Sequence, residues 1–268
     1  MSKTFSLDNK NIILTGAAGI LGQKLSQAYL NEGANVALLD IQINDLNNLK
    51  KKLSLNKKNK FILCEVDLTK PTQVKNTIKK IHKEFGSIDV LHNNAATKGK
   101  SIEDFLKPFE EYKLSTWNDI IDGNLTSMFL TTQEVGKIMK KQNYGSIILT
   151  ASVYGVTTPD KEMYKGSYYN NFEISSPAAY SVSKSGVIGL TKYLASYWGE
   201  NNIRVNSISP GGIYSGQNKI FVKKYSKKVP LGRMALENDI LGLAIFLASD
   251  ASSYITGQNV LVDGGFSL

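Results

Sequence analysis

An alternation of short apolar runs with longer segments of helical periodicity constrains this fold more than any other feature of the chain. The runs are mostly apolar from end to end, which is typical of strands buried on both faces of a parallel sheet. They occupy 11–15, 35–39, 61–66, 88–93, 145–152, 203–209 and 259–263. Helix-like segments separate them, at 20–32, 42–54, 71–85, 115–142, 178–200 and 237–248. The alternation predicts an α/β fold: a doubly wound parallel sheet of about seven strands with helices on both faces, in three layers.

The domain organisation follows from how evenly this pattern runs. The 268 residues contain no internal repeat, no low-complexity linker and no change of composition. A predicted strand still occurs at 259–263, so the sheet must draw on nearly the whole chain. One large α/β domain of this length buries ample core to fold unaided. We therefore predict a single domain over 1–268.

The net charge of +9 is compatible with a nucleic-acid partner, but the choice of basic residues is not. Only Arg204 and Arg233 are arginines among 32 basic residues, and lysines cluster in surface-like runs such as 50–60 and 223–228. Nucleic-acid binders usually use the planar fork of Arg, often interleaved with aromatic residues. Solvated lysine-rich helix faces explain the charge better, so no nucleic-acid partner is expected.

The few cysteines and histidines restrict the chemistry further. Cys64 is the lone cysteine, and its place in the run FILCEV predicts a small buried hydrophobe. His82 and His92 do not complete a metal-ligand cluster with it, so no metal is expected. We see neither a secretory signal nor an apolar stretch long enough to span a membrane. These features predict a cytoplasmic protein with no membrane partner.

A glycine-rich turn, TGAAGILG, joins the first strand to the first helix and contains Gly16, Gly19 and Gly22. Glycines there allow a tight turn and let the backbone approach a pyrophosphate, which binds at the positive end of the following helix. The second strand ends at Asp40, whose carboxylate can bind both ribose hydroxyls and would repel a 2′-phosphate. No Arg lies nearby, so NAD is favoured over NADP. A structural Asp that begins a turn is the alternative.

Tyr180 and Lys184 lie four residues apart in AAYSVSKSG and project from one face of a predicted helix. A phenol has a pKa near ~10 and is a poor base at neutral pH, unless a nearby cation such as Lys184 lowers that pKa. Such a Tyr can exchange a proton with an alcohol or carbonyl oxygen while hydride moves to or from a carrier. The spacing alone also fits an ordinary amphipathic helix.

Further motifs follow in a fixed order: Asp67 and Leu68 after the third strand, NNAA at 93–96, Asn124 in the fourth helix, Ser152 after the fifth strand, PGG at 210–212 and VDGG at 262–265. With the glycine turn and YSVSK, they resemble the single-domain branch of the short-chain dehydrogenase/reductase family from about residue 8 to 265. The resemblance implies a Rossmann-type nucleotide-binding fold. It also implies an NAD(P)-dependent oxidoreductase that acts on CH–OH groups.

The resemblance implies a catalytic tetrad of Asn124, Ser152, Tyr180 and Lys184. Ser152 would hold the substrate oxygen and Tyr180 would exchange its proton. Lys184 would lower the pKa of Tyr180 and bind the nicotinamide ribose, while Asn124 would hold a relay water. The cofactor-binding residues that it implies are Gly16, Gly19, Ile20, Leu21, Gly22, Asp40, Ile41, Asp67, Leu68, Asn94, Ala95, Ala96, Tyr180, Lys184, Pro210, Gly211, Ile213 and Ser215. Of these, Ile213 and Ser215 would orient the nicotinamide carboxamide.

The glycine spacing departs from the family pattern. The turn follows GxxGxxG rather than GxxxGxG, and the former occurs in the extended branch that contains sugar-nucleotide epimerases and dehydratases. That branch usually carries a longer C-terminal substrate region, whereas this chain closes on VDGG. We therefore keep the single-domain assignment.

A second departure is the distance of 28 residues between Ser152 and Tyr180, about twice the family's usual spacing. It indicates an insertion at about 153–177, which contains Tyr154, Tyr164, Tyr168, Tyr169 and Phe172. Because the insertion joins two catalytic elements, we expect it at the mouth of the active site, next to a substrate loop at about 213–230. Aromatic rings with hydroxyl tips suit a sugar. A subunit contact or a self-packed loop is the alternative.

These features favour an NAD-dependent oxidoreductase that interconverts a secondary alcohol and a ketone, on a small-molecule sugar or sugar derivative. The insertion and PGGIY also resemble dehydrogenases of bacterial surface-sugar biosynthesis. The alternatives are a 3-oxoacyl carrier-protein reductase, which would more commonly use NADPH, and a non-catalytic cofactor-binding protein of the same fold. Two helices carry more apolar residues than one core-facing stripe needs, which predicts a homo-oligomer, either a dimer or a tetramer. These residues include Met128, Phe129, Tyr193, Tyr197 and Trp198.

Overall fold

The computed structural model describes residues 3–53, 59–169 and 172–268. Residue 54 of the second predicted helix and residues 54–58 of the lysine run therefore lie outside the described residues. Residues 170 and 171 of the insertion lie outside them as well.

The described strands are β1 (Asn11–Thr15), β2 (Asn35–Asp40), β3 (Phe61–Glu65), β4 (Val90–Asn93), β5 (Gly145–Thr150), β6 (Tyr168–Tyr169), β7 (Phe172–Glu173), β8 (Ile203–Pro210) and β9 (Asn259–Val262). Seven of them form one parallel sheet in the order β3-β2-β1-β4-β5-β8-β9. β6 and β7 pair antiparallel as a separate hairpin within the insertion. The sheet confirms the predicted fold class, and each of its strands coincides with a predicted apolar run.

The described helices are α1 (Ile20–Asn31), α2 (Ile43–Lys52), α3 (Pro71–Phe85), α4 (Ile102–Leu106), α5 (Leu114–Ile121), α6 (Ser127–Gln142), α7 (Lys161–Tyr164), α8 (Ala178–Trp198), α9 (Lys219–Lys228) and α10 (Asn238–Ala248). The helix predicted over 115–142 is interrupted by a π-helical turn at Asp122–Thr126. α4, α7 and α9 were not predicted, because two of them are shorter than two turns and α9 is rich in lysine.

Helices cover both faces of the sheet and create two hydrophobic cores. Ile13 belongs to one core, together with Met128 of α6. Ile12 on the same strand belongs to the other core, together with Leu25 of α1. Successive side chains of a strand point to opposite faces, so every position of β1 is buried. This explains why the strand sequences are apolar throughout instead of alternating.

The order of the strands determines where a ligand can bind. β1 pairs with β2 on one side and with β4 on the other, so the connections reverse direction at β1. In open α/β sheets such a switch point leaves a crevice at the carboxyl ends of the strands. Thr15, Asp40 and Asn93 end these three strands and lie at that edge.

Two further observations concern the described ranges as a whole. None of their helices combines the length and apolarity that crossing a membrane requires. Cys64 is 6% exposed in the core, as predicted, and burial raises the pKa of its thiol although Lys80 partly offsets this.

Candidate active site

A cavity of about 720 Å³ lies at the carboxyl ends of β1 to β4. Many of the residues assigned to the cofactor line it: Gly16, Gly19, Ile20, Leu21, Asp40, Ile41, Asp67, Leu68, Asn94, Ala95 and Ala96. Gly22 is buried inside α1 instead, and Pro210 is buried at the end of β8. The fold thus gathers four separate stretches of sequence around one volume.

Two glycines shape the wall of this cavity. Gly16 has a φ of +63°, and a Cβ added there would lie 2.7 Å from the Cα atom of Ala95. A Cβ on Gly22 would lie 2.0 Å from the carbonyl oxygen of Gly16. Both separations are too short for real atoms, so the close packing of the turn on the loop and on α1 requires glycine.

Thr15 was not assigned from the sequence, yet it ties the glycine turn to the loop after β4. Its hydroxyl oxygen accepts hydrogen bonds from the backbone N–H groups of Asn94 at 2.9 Å and Ala95 at 3.0 Å. The Asn94 side chain donates to the carbonyl oxygen of Gly16 at 3.3 Å. The sequence offers one sign of this role: Thr15 is a polar residue at the carboxyl end of an apolar strand, and that end lies at the edge of the sheet where ligands bind.

Asp40 lies in the wall of the cavity with both carboxylate oxygens hydrogen-bonded. Oδ2 accepts from the Ala18 N–H at 2.9 Å, and Oδ1 accepts from the Ile41 N–H at 2.8 Å. Each oxygen keeps a further lone pair for a ribose hydroxyl. The alternative role, a structural Asp that begins a turn, explains the hydrogen bond from Ile41. It does not explain the hydrogen bond from Ala18, which joins β2 to the glycine turn.

Asp67 lies in a tight turn after β3. Its Oδ1 accepts from the Thr69 hydroxyl at 2.6 Å and from the Thr69 N–H at 2.9 Å. Burial raises the pKa of this carboxyl, but the two bonds from Thr69 and the charge of Lys70 together bring the pKa below its usual value. Asp67 is therefore an ionised group that stabilises this edge of the cavity.

The chemistry of this cavity fits a dinucleotide. α1 begins directly after the glycine turn, and in the described part of the chain no side chain caps its first N–H groups. Those N–H groups and the helix dipole favour a phosphate. The glycine turn and the N-terminus of α1 would hold the pyrophosphate of the dinucleotide, and Asp40 would hold the adenosine ribose.

Lys184 lies in α8 and is only 2% exposed. Its ammonium group donates to the carbonyl oxygen of Thr150, at the end of β5, at 2.8 Å. Burial lowers its pKa from the usual 10.5 to about 8, because apolar surroundings disfavour the charged form. Its Nζ atom lies 5.9 Å from the centre of the Tyr180 ring.

Tyr180 lies beside Ser152, which is 7% exposed and accepts a hydrogen bond from the Tyr154 N–H at 3.2 Å. Burial raises the pKa of Tyr180, and the hydrogen bond with Ser152 offsets only part of this rise. The pKa of Tyr180 therefore lies above its usual value in this arrangement, and a lowering of that pKa by Lys184 stays a prediction. The ammonium group of Lys184 bonds to the carbonyl oxygen of Thr150, and burial is the largest influence on the pKa of Tyr180.

Asn124 is fully buried in the π-helical turn. Its Oδ1 accepts from the Thr97 N–H at 2.7 Å, and its Nδ2 donates to the Ser183 hydroxyl at 3.5 Å. π-helical turns are frequent at functional sites. Asn124 therefore lies between the loop after β4 and α8, while no hydrogen bond among the described residues joins it directly to Lys184.

A second cavity, of about 500 Å³, is lined by two of the four tetrad residues. Its lining includes Ser152, Tyr180, Gly211, Gly212, Ile213 and Ser215. The loop after β4 reaches both volumes, since Thr97 lines the first and Lys98 the second. Ser152 and Tyr180 thus lie next to the dinucleotide cavity, whereas Asn124 and Lys184 are buried and line neither cavity.

Gln217, which was not assigned from the sequence, holds the segment that follows β8. Its amide donates to the carbonyl oxygen of Ile213 at 2.9 Å and to the Ser215 hydroxyl at 3.0 Å. Ile213 and Ser215 were assigned to the nicotinamide carboxamide, and both line the second cavity. Gln217 therefore fixes the two residues that this assignment depends on.

The insertion supplies three tyrosines to the second cavity: Tyr154, Tyr164 and Tyr168. Phe172 instead lines a neighbouring groove of about 920 Å³, and the side chain of Tyr169 lies outside the described residues. The insertion therefore contacts the cavity that contains Ser152 and Tyr180.

Aromatic rings from the insertion, α9 and the C-terminal segment pack on one another beside this cavity. Tyr164 stacks on Phe221 with the ring centres 5.4 Å apart, and Tyr225 stacks on Phe266 at 4.9 Å. The edge of Tyr154 meets Phe266 at 6.2 Å. Tyr225 is 2% exposed, although its sequence context of lysines indicated a surface run.

Lysine side chains join the insertion to α9. Lys224 donates to the carbonyl oxygens of Glu162 at 2.9 Å and Lys165 at 2.6 Å. Lys228 forms an ion pair with Asp160 at 3.4 Å. The insertion and the substrate loop at about 213–230 therefore form one connected wall.

Comparisons with known proteins agree with this architecture. A family model described as enoyl-(acyl carrier protein) reductase matches residues 16–267. The post-translational flagellin modification protein A of Campylobacter coli is 34% identical over 98% of this chain and 100% of its own length. The D-threitol dehydrogenase of Mycolicibacterium smegmatis is 32% identical over 98% of this chain and 95% of its own length. The 3-oxoacyl-[acyl-carrier-protein] reductase of Thermotoga maritima is 33% identical over 97% of this chain and 98% of its own length.

A solved structure is similar along the whole chain. The short chain dehydrogenase from Leptospira borgpetersenii with bound NAD+ has a TM-score of 0.85 and 32% identity, covering 100% of this chain and 96% of that one. Fold and comparisons together define an oxidoreductase with a nicotinamide cofactor, which acts on CH–OH groups. The chain belongs to the short-chain dehydrogenase/reductase family.

Proposed function

We propose that this protein oxidises a secondary alcohol of a polyhydroxylated small molecule, or reduces the matching ketone, with NAD as its cofactor. One observation carries the proposal: Ser152 and Tyr180 line a cavity that adjoins the cavity suited to a dinucleotide. A bound nicotinamide cofactor would supply the hydride acceptor for oxidation of the alcohol carbon and, in its reduced form, the hydride donor for reduction of the ketone. The protein supplies the binding, the orientation and the proton transfer.

The four tetrad residues have distinct roles in this proposal. Ser152 holds the reacting oxygen of the substrate, and Tyr180 takes the proton from that oxygen in oxidation or returns it in reduction. Because burial raises the pKa of Tyr180, the phenol is protonated at neutral pH, which is the form that reduction needs. Lys184, whose pKa of about 8 keeps it mainly protonated at pH 7, stabilises the phenolate as it forms. Asn124 supports the loop after β4 and holds the relay water.

Asp40 is the basis for proposing NAD over NADP. Its carboxylate is held by Ala18 and Ile41 in the wall of the cavity and offers acceptors to two ribose hydroxyls. A 2′-phosphate at the same place would meet a negative charge and find no hydrogen-bond donor on Asp40. Discrimination of this kind depends on repulsion as much as on attraction.

The tyrosine hydroxyls of the second cavity support a polyhydroxylated substrate, since they combine an apolar ring face with a polar tip. The relative that is named a D-threitol dehydrogenase points to the same class. The acyl-carrier names of the family model and of the Thermotoga maritima relative favour a 3-oxoacyl reductase instead. The Tyr154 and Tyr164 hydroxyls bond to each other, and an acyl chain would offer no acceptor to the one hydroxyl proton that this bond leaves over. A non-catalytic protein would not need all four tetrad residues.

The test is a spectrophotometric screen of polyols, sugars, sugar nucleotides and 3-oxoacyl thioesters with each nicotinamide cofactor. In Tyr180→Phe, we expect turnover of the best substrate to fall by several orders of magnitude while the affinity for NADH is retained, because only the transferable proton is lost. Tyr144→Phe is the matched control, since Tyr144 is 40% exposed and lines neither cavity. Near-normal rates in Tyr180→Phe would contradict the proposed role.

We also propose a homo-oligomer, either a dimer or a tetramer. Tyr193 and Tyr197 of α8 are 64% and 59% exposed and stack with their ring centres 5.8 Å apart, and Phe129 of α6 is 45% exposed. Met128 and Trp198, which the sequence grouped with them, are 1% and 8% exposed and belong to the core. The three exposed aromatic residues favour a partner surface. The cytoplasmic location and the single domain stay predictions.

A further inference from the structure

The hydroxyl groups of Tyr154 and Tyr164 form a pair that the proposed mechanism does not use. They are hydrogen-bonded to each other at 2.5 Å in the lining of the second cavity. A phenol hydroxyl donates one hydrogen bond and can accept others. The bond within the pair uses one of the two hydroxyl protons, so the proton of the accepting hydroxyl remains for another partner.

Packing holds both rings in place. The Tyr164 ring stacks on Phe221 with the centres 5.4 Å apart, and the Tyr154 ring packs edge-on against Phe266 at 6.2 Å. Tyr154 follows Ser152 closely in the chain, whereas Tyr164 ends α7 inside the insertion. A donor fixed by such packing is oriented before the ligand arrives, which favours selective binding.

The pair is electrically neutral in the working pH range. Burial raises the pKa of both phenols, and the nearby Tyr180 adds to the rise in each case. Tyr154, Tyr164 and Tyr180 all line the second cavity, so the pair lies in the same cavity as the reacting centre. A neutral donor in a cavity lined by Phe105, Leu106 and Phe221 suits a neutral oxygen rather than an ion.

We propose that the Tyr154–Tyr164 pair binds a second hydroxyl of the substrate, further along the carbon chain than the oxygen that Ser152 and Tyr180 hold. The pair thereby selects polyols over simple secondary alcohols. This inference rests on the proposed function, since it presumes alcohol oxidation at Tyr180. It assigns to the insertion a role in substrate selection.

The expected selectivity follows from hydrogen bonding. A substrate that lacks the second hydroxyl leaves the buried donor unpaired, and such a loss lowers kcat/KM by roughly ten- to hundredfold. In Tyr164→Phe or Tyr154→Phe, the hydroxyl pair no longer exists. Polyols should then lose most of their advantage in kcat/KM over substrates that lack the second hydroxyl. Both variants keep the aromatic ring and its packing.

The experiment compares polyols of four to six carbons with the 2-alkanol of equal chain length, using NAD and measuring kcat/KM. The polyol-to-alkanol ratio should fall roughly ten- to hundredfold in Tyr164→Phe and in Tyr154→Phe, and stay constant in Tyr144→Phe. Melting temperature and NADH affinity, which check folding and the cofactor site, should match the parent protein in all three variants.

Two results would overturn the inference, and they differ in what they say of the proposed function. An equal polyol-to-alkanol ratio of kcat/KM in the parent and in both phenylalanine variants would show that the pair does not select the substrate. The proposed alcohol oxidation would be unaffected by that result. Failure of the parent protein to oxidise any alcohol of the panel would overturn the proposed function, and this inference with it.

Discussion

The buried ammonium group of Lys184 should make the stability of this protein depend on pH. Burial lowers its pKa from 10.5 to about 8. Above pH 10.5 the lysine is neutral in both the folded and the unfolded chain. As the pH falls toward 8, the unfolded chain binds a proton that the folded chain does not, so the free energy of unfolding decreases. Below pH 8 the loss is complete, because both states are then protonated.

The size of this effect follows from the two pKa values. Each difference of one in pKa corresponds to about 1.36 kcal/mol. Lys184 therefore lowers the free energy of unfolding by about 3 kcal/mol at pH 7 and by about 1 kcal/mol at pH 9.5. Lys184→Met removes the titrating group and keeps much of its volume. Between these two pH values, the parent protein should gain about 2 kcal/mol relative to Lys184→Met.

Urea unfolding of both proteins, from pH 7 to pH 9.5, measures this difference. Lost contacts such as the hydrogen bond to Thr150 shift the whole curve of the variant but do not change its slope with pH. Lys192→Met is the matched control, since Lys192 is exposed on the same helix, and its curve should run parallel to that of the parent. Parallel curves for the parent and Lys184→Met would refute the reasoning. The variant should also lose turnover and bind NADH more weakly, if Lys184 holds the ribose.

Three further predictions concern the cofactor site, the insertion and assembly. Asp40→Ala should reduce the preference for NADH over NADPH by at least about tenfold, because the repulsive carboxylate is gone; titration calorimetry measures both affinities, and an unchanged preference would contradict the assignment. Shortening 156–174 should raise KM for the best polyol by about tenfold or more while NADH affinity is retained, and unaltered kinetics would count against a substrate role of the insertion. Tyr193→Ser combined with Tyr197→Ser should reduce the oligomer to a smaller species by light scattering at micromolar protein, and a monomeric parent protein would rule out the proposed assembly.

Several features of this protein are determined by local sequence patterns. The continuous apolar runs identify strands buried on both faces, because only a covered parallel sheet lets successive side chains of one strand all be apolar. The glycine turn is also local, since the positive φ of Gly16 and the contact of Gly22 with the Gly16 carbonyl oxygen both arise within the turn. Helical spacing places Tyr180 and Lys184 on one face of α8. These patterns are sufficient to predict the sheet and the elements that surround the candidate site.

Other features depend on contacts between residues that are distant in sequence. Thr15 bonds to a loop about eighty residues away, and Tyr164 depends on the packing of Phe221 for its position. Sequence spacing contains no information on such distances. The sequence therefore leaves a substrate contact, a subunit contact and a self-packed loop open for the insertion, whereas the fold places three of its tyrosines in the lining of the second cavity.

The pKa values show most directly what only the tertiary structure decides. From the sequence, the four-residue spacing predicts that Lys184 lowers the pKa of Tyr180. In the fold, Lys184 bonds to Thr150, and burial raises the pKa of Tyr180 while lowering that of Lys184. A pKa depends on the surroundings that all packed elements create together, whereas a motif specifies only which groups are near one another along a helix. The sequence thus predicts which residues react, but the packing around those residues determines their pKa values.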